Sequence, residues 1–335
     1  MSLPKASKIL GIGRYLPPKV VTNADLAKMF DTSDEWIQQR SGIKERRYSE
    51  GPHDSTAHMG EKAARKAVEN AGIEMEEIDF IIFATLSPDY SFPGSSAFVG
   101  DYLGLNGVAA MDIRNQCTGF LYGLTVADSL VRTGHAKKVL LIGSEVHSTG
   151  LEFSDRGRAV TVLFGDGAGA AVVGAADEGQ GLIDMDLHCD GKFAKDLWVE
   201  SPGSSIFPCR VDHEMLDQGR AYPVMNGRAV FKEAVTQMHA VSQRVLDRHG
   251  YSIDEVSLFV PHQANMRINQ MVAGALGIDE SKVVHNIERY GNTTAATIPI
   301  CLSEALEEGR LHEGDLVLTA AFGSGFTWGA GLIRW

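Results

Sequence analysis

Short, unbroken apolar runs recur along the chain: Phe80-Ile-Ile-Phe-Ala84, Val139-Leu-Leu-Ile-Gly143 and Leu316-Val-Leu-Thr-Ala320. Runs of this length with no polar alternate positions predict strands covered on both faces. Helical spacing separates them. Over 55–71 alanines fall on one face, Ser55 precedes as an N-cap, and Gly72 stands where a left-handed residue ends the helix. Over 117–132 the pattern is apolar nearly all round (Phe120, Leu121, Leu124, Val126, Ala127, Leu130), which predicts a helix buried on every side. Strands alternating with helices make the fold class α/β.

The pattern also repeats. Glu-Glu-Ile-Asp-Phe-Ile-Ile-Phe-Ala-Thr (76–85), Tyr-Leu-Gly-Leu (102–105), Asn-Gln-Cys-Thr-Gly (115–119) and His-Ala-Lys-Lys-Val-Leu-Leu-Ile-Gly (135–143) form one series. Ile-Asp-Glu-Val-Ser-Leu-Phe-Val-Pro-His-Gln (253–263), Ala-Leu-Gly-Ile (275–278), Gly-Asn-Thr-Thr (291–294) and His-Glu-Gly-Asp-Leu-Val-Leu-Thr-Ala (312–320) form a second in the same order. A duplicated α/β unit is expected, with halves 1–178 and 179–335 and equivalent loops meeting at one site.

Composition narrows the function classes. With 335 residues, 44% hydrophobic and 22% charged, the chain has the length for a large core. No stretch approaches the ~20 apolar residues of a membrane span, and Met-Ser-Leu-Pro-Lys lacks the basic-then-apolar run of a secretory signal, so the expected location is the cytoplasm. A net charge of −12 argues against nucleic acid or an anionic membrane as partner. Cys117, Cys189, Cys209 and Cys301 show no CxxC spacing, and no histidine or carboxylate pair has metal-ligand spacing, so neither a disulfide framework nor a metal is expected.

Cys117 follows a predicted strand over 108–113 and a polar turn, at the start of the buried helix. Unpaired N–H groups and the helix dipole there favour a thiolate and lower its pKa, whereas a buried structural thiol has no such setting. His262 leaves the C-terminal end of a strand over 257–260, where open α/β sheets build sites; on its own it reads equally as a helix cap. The repeat places His262 and Asn292 in the loops equivalent to those around Ala84 and Asn115. Gly11-Ile-Gly13 has Leu16 in place of the third glycine of a dinucleotide fingerprint and is rejected as one. Gly165-Asp-Gly-Ala-Gly169 and Phe322-Gly-Ser-Gly-Phe326, at equivalent ends of the two halves, read as places of close backbone approach.

Taken together, Asp-Ile-Arg-Asn-Gln-Cys117-Thr-Gly-Phe, Val-Pro-His262-Gln-Ala-Asn-Met-Arg267, Gly-Asn292-Thr-Thr-Ala-Ala and Phe322-Gly-Ser-Gly-Phe-Thr-Trp328-Gly resemble the 3-oxoacyl-[acyl-carrier-protein] synthase III family over essentially the whole chain. The resemblance implies a thiolase-like duplicated fold in five α-β-α-β-α layers, a cytoplasmic homodimer, and no cofactor beyond acyl-CoA as substrate. Cys117, His262 and Asn292 would catalyse transfer of an acyl primer to the cysteine. Decarboxylative condensation with malonyl-ACP or malonyl-CoA would follow, initiating fatty acid biosynthesis. Matching positions assign Ser324 as an oxyanion donor through its backbone and Phe322 to packing beside the cysteine. Trp36, Arg40, Arg156, Gly227 and Asn265 would bind CoA. Phe92 would close the partner's acyl pocket, and Arg267, Lys232 and Arg228 would contact carrier protein. Gly274 and Ala275 stand where carrier-docking relatives have lysines, and Asn-Gln-Cys-Thr with Ser-Asp-Arg-Gly-Arg looks closer to a branch that uses other acyl- or aroyl-CoA primers.

Rival readings fare worse. The order Cys, His, Asn is also that of papain-like hydrolases, but their Cys-Gly-Ser/Ala-Cys-Trp signature is absent. A thiolase would carry a second cysteine in the C-terminal glycine loop, here Phe-Gly-Ser-Gly-Phe. A silent partner subunit would have no need of an intact Cys117, His262 and Asn292.

Overall fold

The computed structural model describes residues 5–335. Two sheets carry the fold. The first runs in the order Ser7–Tyr15, Gly167–Ala175, Lys138–Glu145, Phe80–Ala84, Ala109–Ile113. The last three strands are parallel, and the first two pair antiparallel with their neighbours. The second sheet repeats that order as Gly181–Cys189, Thr327–Arg334, Leu316–Gly323, Leu258–Pro261. Leu258–Pro261 and Leu316–Gly323 are parallel and the other pairs antiparallel. A single parallel bridge from Phe259 to Val283 stands where the first sheet has its fifth strand. The predicted apolar runs all lie in these strands, and the two series of matched blocks trace the same topology.

Five layers result, as the family resemblance implies. Helix Thr56–Ala71 covers the outer face of the first sheet through Met59, Ala63, Ala64 and Ala67. Its alanines are needed there. Methyl groups added at Gly11 and Gly13 of the edge strand would fall 2.3 and 2.5 Å from the helix backbone at Ala71 and Ala67. These glycines therefore bring a strand against a helix and form no phosphate turn. Helix Gly119–Arg132 lies between the two sheets with Thr297–Glu307, in one core containing Leu121, Leu124, Ile298 and Leu302; it is not buried on every side as expected, since Ser129 and Arg132 are exposed and Arg132 pairs with Asp128. Helices Gly227–His249 and Met266–Leu276 close the outer face of the second sheet over Phe259, Leu318 and Leu332.

One core residue breaks the pattern. Asn269, on Met266–Leu276, is fully buried, and neither its amide nitrogen nor its oxygen has a hydrogen-bond partner. An unpaired buried amide costs about 1–3 kcal/mol. Asn269→Leu is therefore expected to raise the free energy of unfolding by about that amount, read as a higher denaturant midpoint with unchanged slope. An unchanged or lower midpoint would show that the amide has a partner in solution.

The edge of the first sheet is bare. Ala109, Ala110, Met111 and Asp112 are all exposed, although they form a regular strand hydrogen-bonded on one side only. Phe92, on the loop before helix Ser95–Tyr102, is 85% exposed.

Candidate active site

The site forms where the two halves touch. Strand Ala109–Ile113 ends in a polar turn, and Cys117 sits in the single 3-10 turn Gln116–Thr118 that leads into helix Gly119–Arg132. The turn is tight. Gln116 adopts a left-handed φ of 44°, uncommon for a side chain with a Cβ and a form of local strain. The Thr118 hydroxyl ties the turn to the Asn115 carbonyl at 2.8 Å and meets the Thr327 hydroxyl of the other half at 2.9 Å.

The second half brings three segments to the cysteine. His262 follows Leu258–Pro261 and extends its parallel pairing, its N–H donating to Ala320. Its Nδ1 lies 2.7 Å from the Thr297 hydroxyl, while its Nε2 is buried and has no partner. Asn292 is fixed the other way round. Its Oδ1 accepts from the Thr294 N–H at 2.8 Å, and its backbone N–H donates to Leu163, which leaves the amide nitrogen for the cavity. The third segment is the glycine loop. A methyl on Gly323 would lie 2.9 Å from Cys117 Cβ and 3.3 Å from its Sγ, so only glycine lets this backbone pass the thiol. Beside it Phe322 is 4% exposed and packs on Phe326, and the Ser324 hydroxyl donates to the Leu197 carbonyl.

Cys117, His262, Asn292 and Phe322 line one cavity. Gly227, Val230, Phe231, Ala234 and Met238 wall it from the first three turns of Gly227–His249, and Asn265, Ile268, Leu163, Phe164 and Leu197 complete it. The lining is apolar apart from Cys117, His262, Asn292 and Asn265, as in most small-molecule sites. Among the described residues no cluster of His, Cys, Asp or Glu is placed to hold a metal ion.

Burial dominates the electrostatics. It pushes the Cys117 thiol up to about 12, and the buried Glu145 carboxyl adds to the rise. The helix start does not lower this thiol as its position suggested, because the cost of a charge away from water exceeds what the turn's backbone N–H returns. Burial also takes His262 down to about 3. The resting pair is therefore uncharged. Glu145 is itself raised to about 7 by burial, against hydrogen bonds from Ser87, Leu86 and Thr85.

Trp36 lies on helix Asp34–Ser41 with two guanidinium groups over its ring, Arg40 at 4.5 Å and Arg158 at 5.0 Å. Arg158 was not singled out from the sequence; Arg156 was. Arg156 instead pairs with Glu152 at 2.7 Å and donates to the Asp217 carbonyl, packed against Gly219. Asn265 caps Met266–Leu276 through the Arg267 N–H and donates to the Arg40 carbonyl at 2.8 Å, joining the cavity wall to the Trp36 helix. Arg267 lies over Phe231 at 5.4 Å, and Arg228 and Lys232 are exposed on the neighbouring helix. Thr294, Thr297 and Glu145 were likewise missed; the threonines carry a sequence signal only in that they follow Asn292 within one and a half helical turns.

Comparison with known proteins places this geometry. Residues 111–191 match the model of 3-oxoacyl-[acyl-carrier-protein] synthase III, and residues 246–335 match the model of its C-terminal part. The beta-ketoacyl-[acyl-carrier-protein] synthase III of Chlorobium luteolum is 43% identical over 328 residues, 98% of each chain. The synthase III 1 of Bacillus anthracis is 44% identical over 327 residues, again 98% of each. The crystal structure of the synthase III from Aquifex aeolicus superposes with a TM-score of 0.89 at 43% identity, covering 98% of this chain and 100% of that one. The priming beta-ketosynthase of the R1128 polyketide pathway superposes with a TM-score of 0.90 at 29% identity, covering 99% and 97%. The fold is thiolase-like, and the chain belongs to the 3-oxoacyl-[acyl-carrier-protein] synthase III family.

Proposed function

We propose that the chain is a priming condensing enzyme that takes an acyl group from acyl-CoA onto Cys117 and joins it to a malonyl thioester, beginning fatty acid synthesis. The observation that carries this reading is the shared cavity, in which the Cys117 thiol, the unpartnered His262 Nε2 and the Asn292 amide nitrogen have no protein group to serve. Sulfur attacks the thioester carbonyl, and the close-packed backbone at Cys117 and the Gly323–Ser324 turn supplies N–H groups to the oxyanion. CoA departs. The malonyl thioester then places its carbonyl oxygen between His262 and Asn292. Hydrogen bonds from both stabilise the enolate as carbon dioxide leaves, and the enolate carbon attacks the acyl group on Cys117.

Substrate binding follows the same elements. Trp36, with Arg40 and Arg158 over its ring, suits the adenine and phosphates of CoA, and Gly227, Asn265 and Phe231 border the path of its pantetheine arm. Carrier protein would approach Arg267, Arg228 and Lys232. The bare Ala109–Ile113 edge and the exposed Phe92 support a homodimer in which this strand pairs with its copy and Phe92 reaches the partner's acyl pocket. Each half, 1–178 and 179–335, serves as one duplicated unit. No described helix is long and apolar enough to cross a membrane. The reading places the enzyme in the cytoplasm and gives it no cofactor beyond its substrates. Priming of a secondary pathway by another acyl- or aroyl-CoA is the second reading, favoured by the likeness to the R1128 ketosynthase.

Intact-protein mass after incubation with a panel of acyl-CoAs tests both. One acyl group should be added, and Cys117→Ala should abolish the gain. The acyl chain that loads fastest separates the two pathways. No label from any acyl-CoA would remove primer loading from the reading.

A further inference from the structure

The side-chain contact that fixes the His262 ring comes from one hydroxyl. Thr297 is the first residue of helix Thr297–Glu307 and is 2% exposed. Its Oγ1 lies 2.7 Å from His262 Nδ1 and 3.0 Å from the Thr294 carbonyl oxygen. A hydroxyl has one proton to give. Given to the Thr294 carbonyl, it leaves the Thr297 oxygen to accept from Nδ1–H, and a neutral imidazole protonated at Nδ1 carries a bare lone pair on Nε2. That nitrogen is the buried, unpartnered atom of a ring that lines the Cys117 cavity.

We propose that Thr297 is a positioning residue that holds His262 as the Nδ1–H tautomer, so that Nε2 faces the cavity as acceptor for the Cys117 proton. This rests on the condensing-enzyme reading above. The role is that of the third member of a nucleophile–base–orienter set, filled by a neutral hydroxyl. As sulfur bonds to the acyl carbon, the S–H proton moves to Nε2 and the acyl–CoA bond breaks, the departing sulfur taking that proton from Nε2. When the malonyl thioester enters, its carboxylate charge favours protonation of the ring from solvent, and the imidazolium so formed keeps Nδ1–H on Thr297 and offers Nε2–H to the malonyl carbonyl. Loss of carbon dioxide leaves its bonding pair on the enolate carbon, which forms the new carbon–carbon bond; Cys117 is expelled as thiolate and recovers its proton from Nε2. Because burial disfavours charge on either group alone, proton transfer accompanies attack and no thiolate exists beforehand.

Nitrogen-15 spectra of histidine-labelled full-length protein distinguish the two neutral tautomers, with His262 assigned by its loss in His262→Gln. The resting wild type should show Nδ1–H, and Thr297→Val should shift the ring toward Nε2–H. In the same variant the Cys117 acylation rate should fall about 10²-fold with KM for acyl-CoA changed by less than about threefold, the usual scale of a lost general base. Thr297→Ser, which keeps the hydroxyl, should acylate within about threefold of wild type. Nε2–H in the wild type, wild-type acylation by Thr297→Val, or a Thr297→Ser as slow as the valine variant would each overturn the assignment. Should the valine variant not fold, the wild-type tautomer and the serine variant still decide. A wild type that no acyl-CoA labels would overturn the condensing-enzyme reading instead, and the tautomer is read without substrate.

Discussion

Asn292→Ala should leave Cys117 open to acylation while slowing decarboxylation of the malonyl thioester about 10²–10³-fold, the usual loss when one donor to a developing oxyanion is removed. The separation arises from how the amide is held. Its oxygen is occupied by the Thr294 N–H, so the side chain cannot rotate to present anything but its nitrogen to the cavity. No hydrogen bond of Asn292 reaches Trp36, where CoA is proposed to bind. Acyl-enzyme should therefore accumulate in the variant, visible as a persistent mass gain, while release of labelled carbon dioxide falls. Asn292→Asp should be at least as slow, because a carboxylate at this buried position faces the enolate with like charge. If both steps slow together, Asn292 shapes the cavity and does not act on the malonyl group.

Acid should unfold this protein through its buried histidines. Burial takes both His147 and His262 from 6.5 down to about 3. A base with a depressed native pKa binds its proton in the unfolded chain first, so the stability it contributes is complete above about 6.5 and is lost as pH falls toward 3. Glu145 works in the opposite sense. Raised from 4.5 to about 7, it costs nothing below 4.5 and destabilises as pH rises through 7. Acidification from pH 7 to 5 thus loses roughly 4 kcal/mol at the two histidines and regains roughly 2 at Glu145, and by pH 4 the net loss reaches about 3–4 kcal/mol. Denaturant midpoints at pH 7, 5 and 4 measure this directly. His147→Gln should remove about half of the histidine contribution, and a midpoint constant from pH 7 to 4 would mean that both rings are charged in the folded protein.

Much of the architecture was legible because each buried layer writes its own pattern. Double-faced strands appear as unbroken apolar runs, and the helix between two sheets is apolar over most of its surface, with polar side chains confined to Thr125, Asp128, Ser129 and Arg132. Duplication made the topology readable twice. The site was legible as far as residue type and loop position determine it, which brought Cys117, His262 and Asn292 to one list. What escaped depends on contacts across the fold. Arg156 and Arg158 are two residues apart with the same side chain, and only the helical turn at Arg158–Thr161 decides which guanidinium meets Trp36. The expected low thiol pKa came from the helix start alone; the buried Glu145 that opposes it lies 28 residues further along the chain. Thr297 reads as an ordinary helix-opening threonine until His262 is seen against it.

The bare strand Ala109–Ile113 has a consequence for biogenesis. A nascent monomer that completes its first sheet offers a row of unsatisfied backbone donors and acceptors beside Met111, open to any extended peptide in reach. The same strand leads into the turn that carries Cys117, the proposed nucleophile, so whatever pairs with it would bear on that turn. Self-association in the native register would therefore act as quality control. In the proposed homodimer, a chain that captured the wrong peptide along this edge would carry a distorted Cys117 turn and should fail to accept an acyl group.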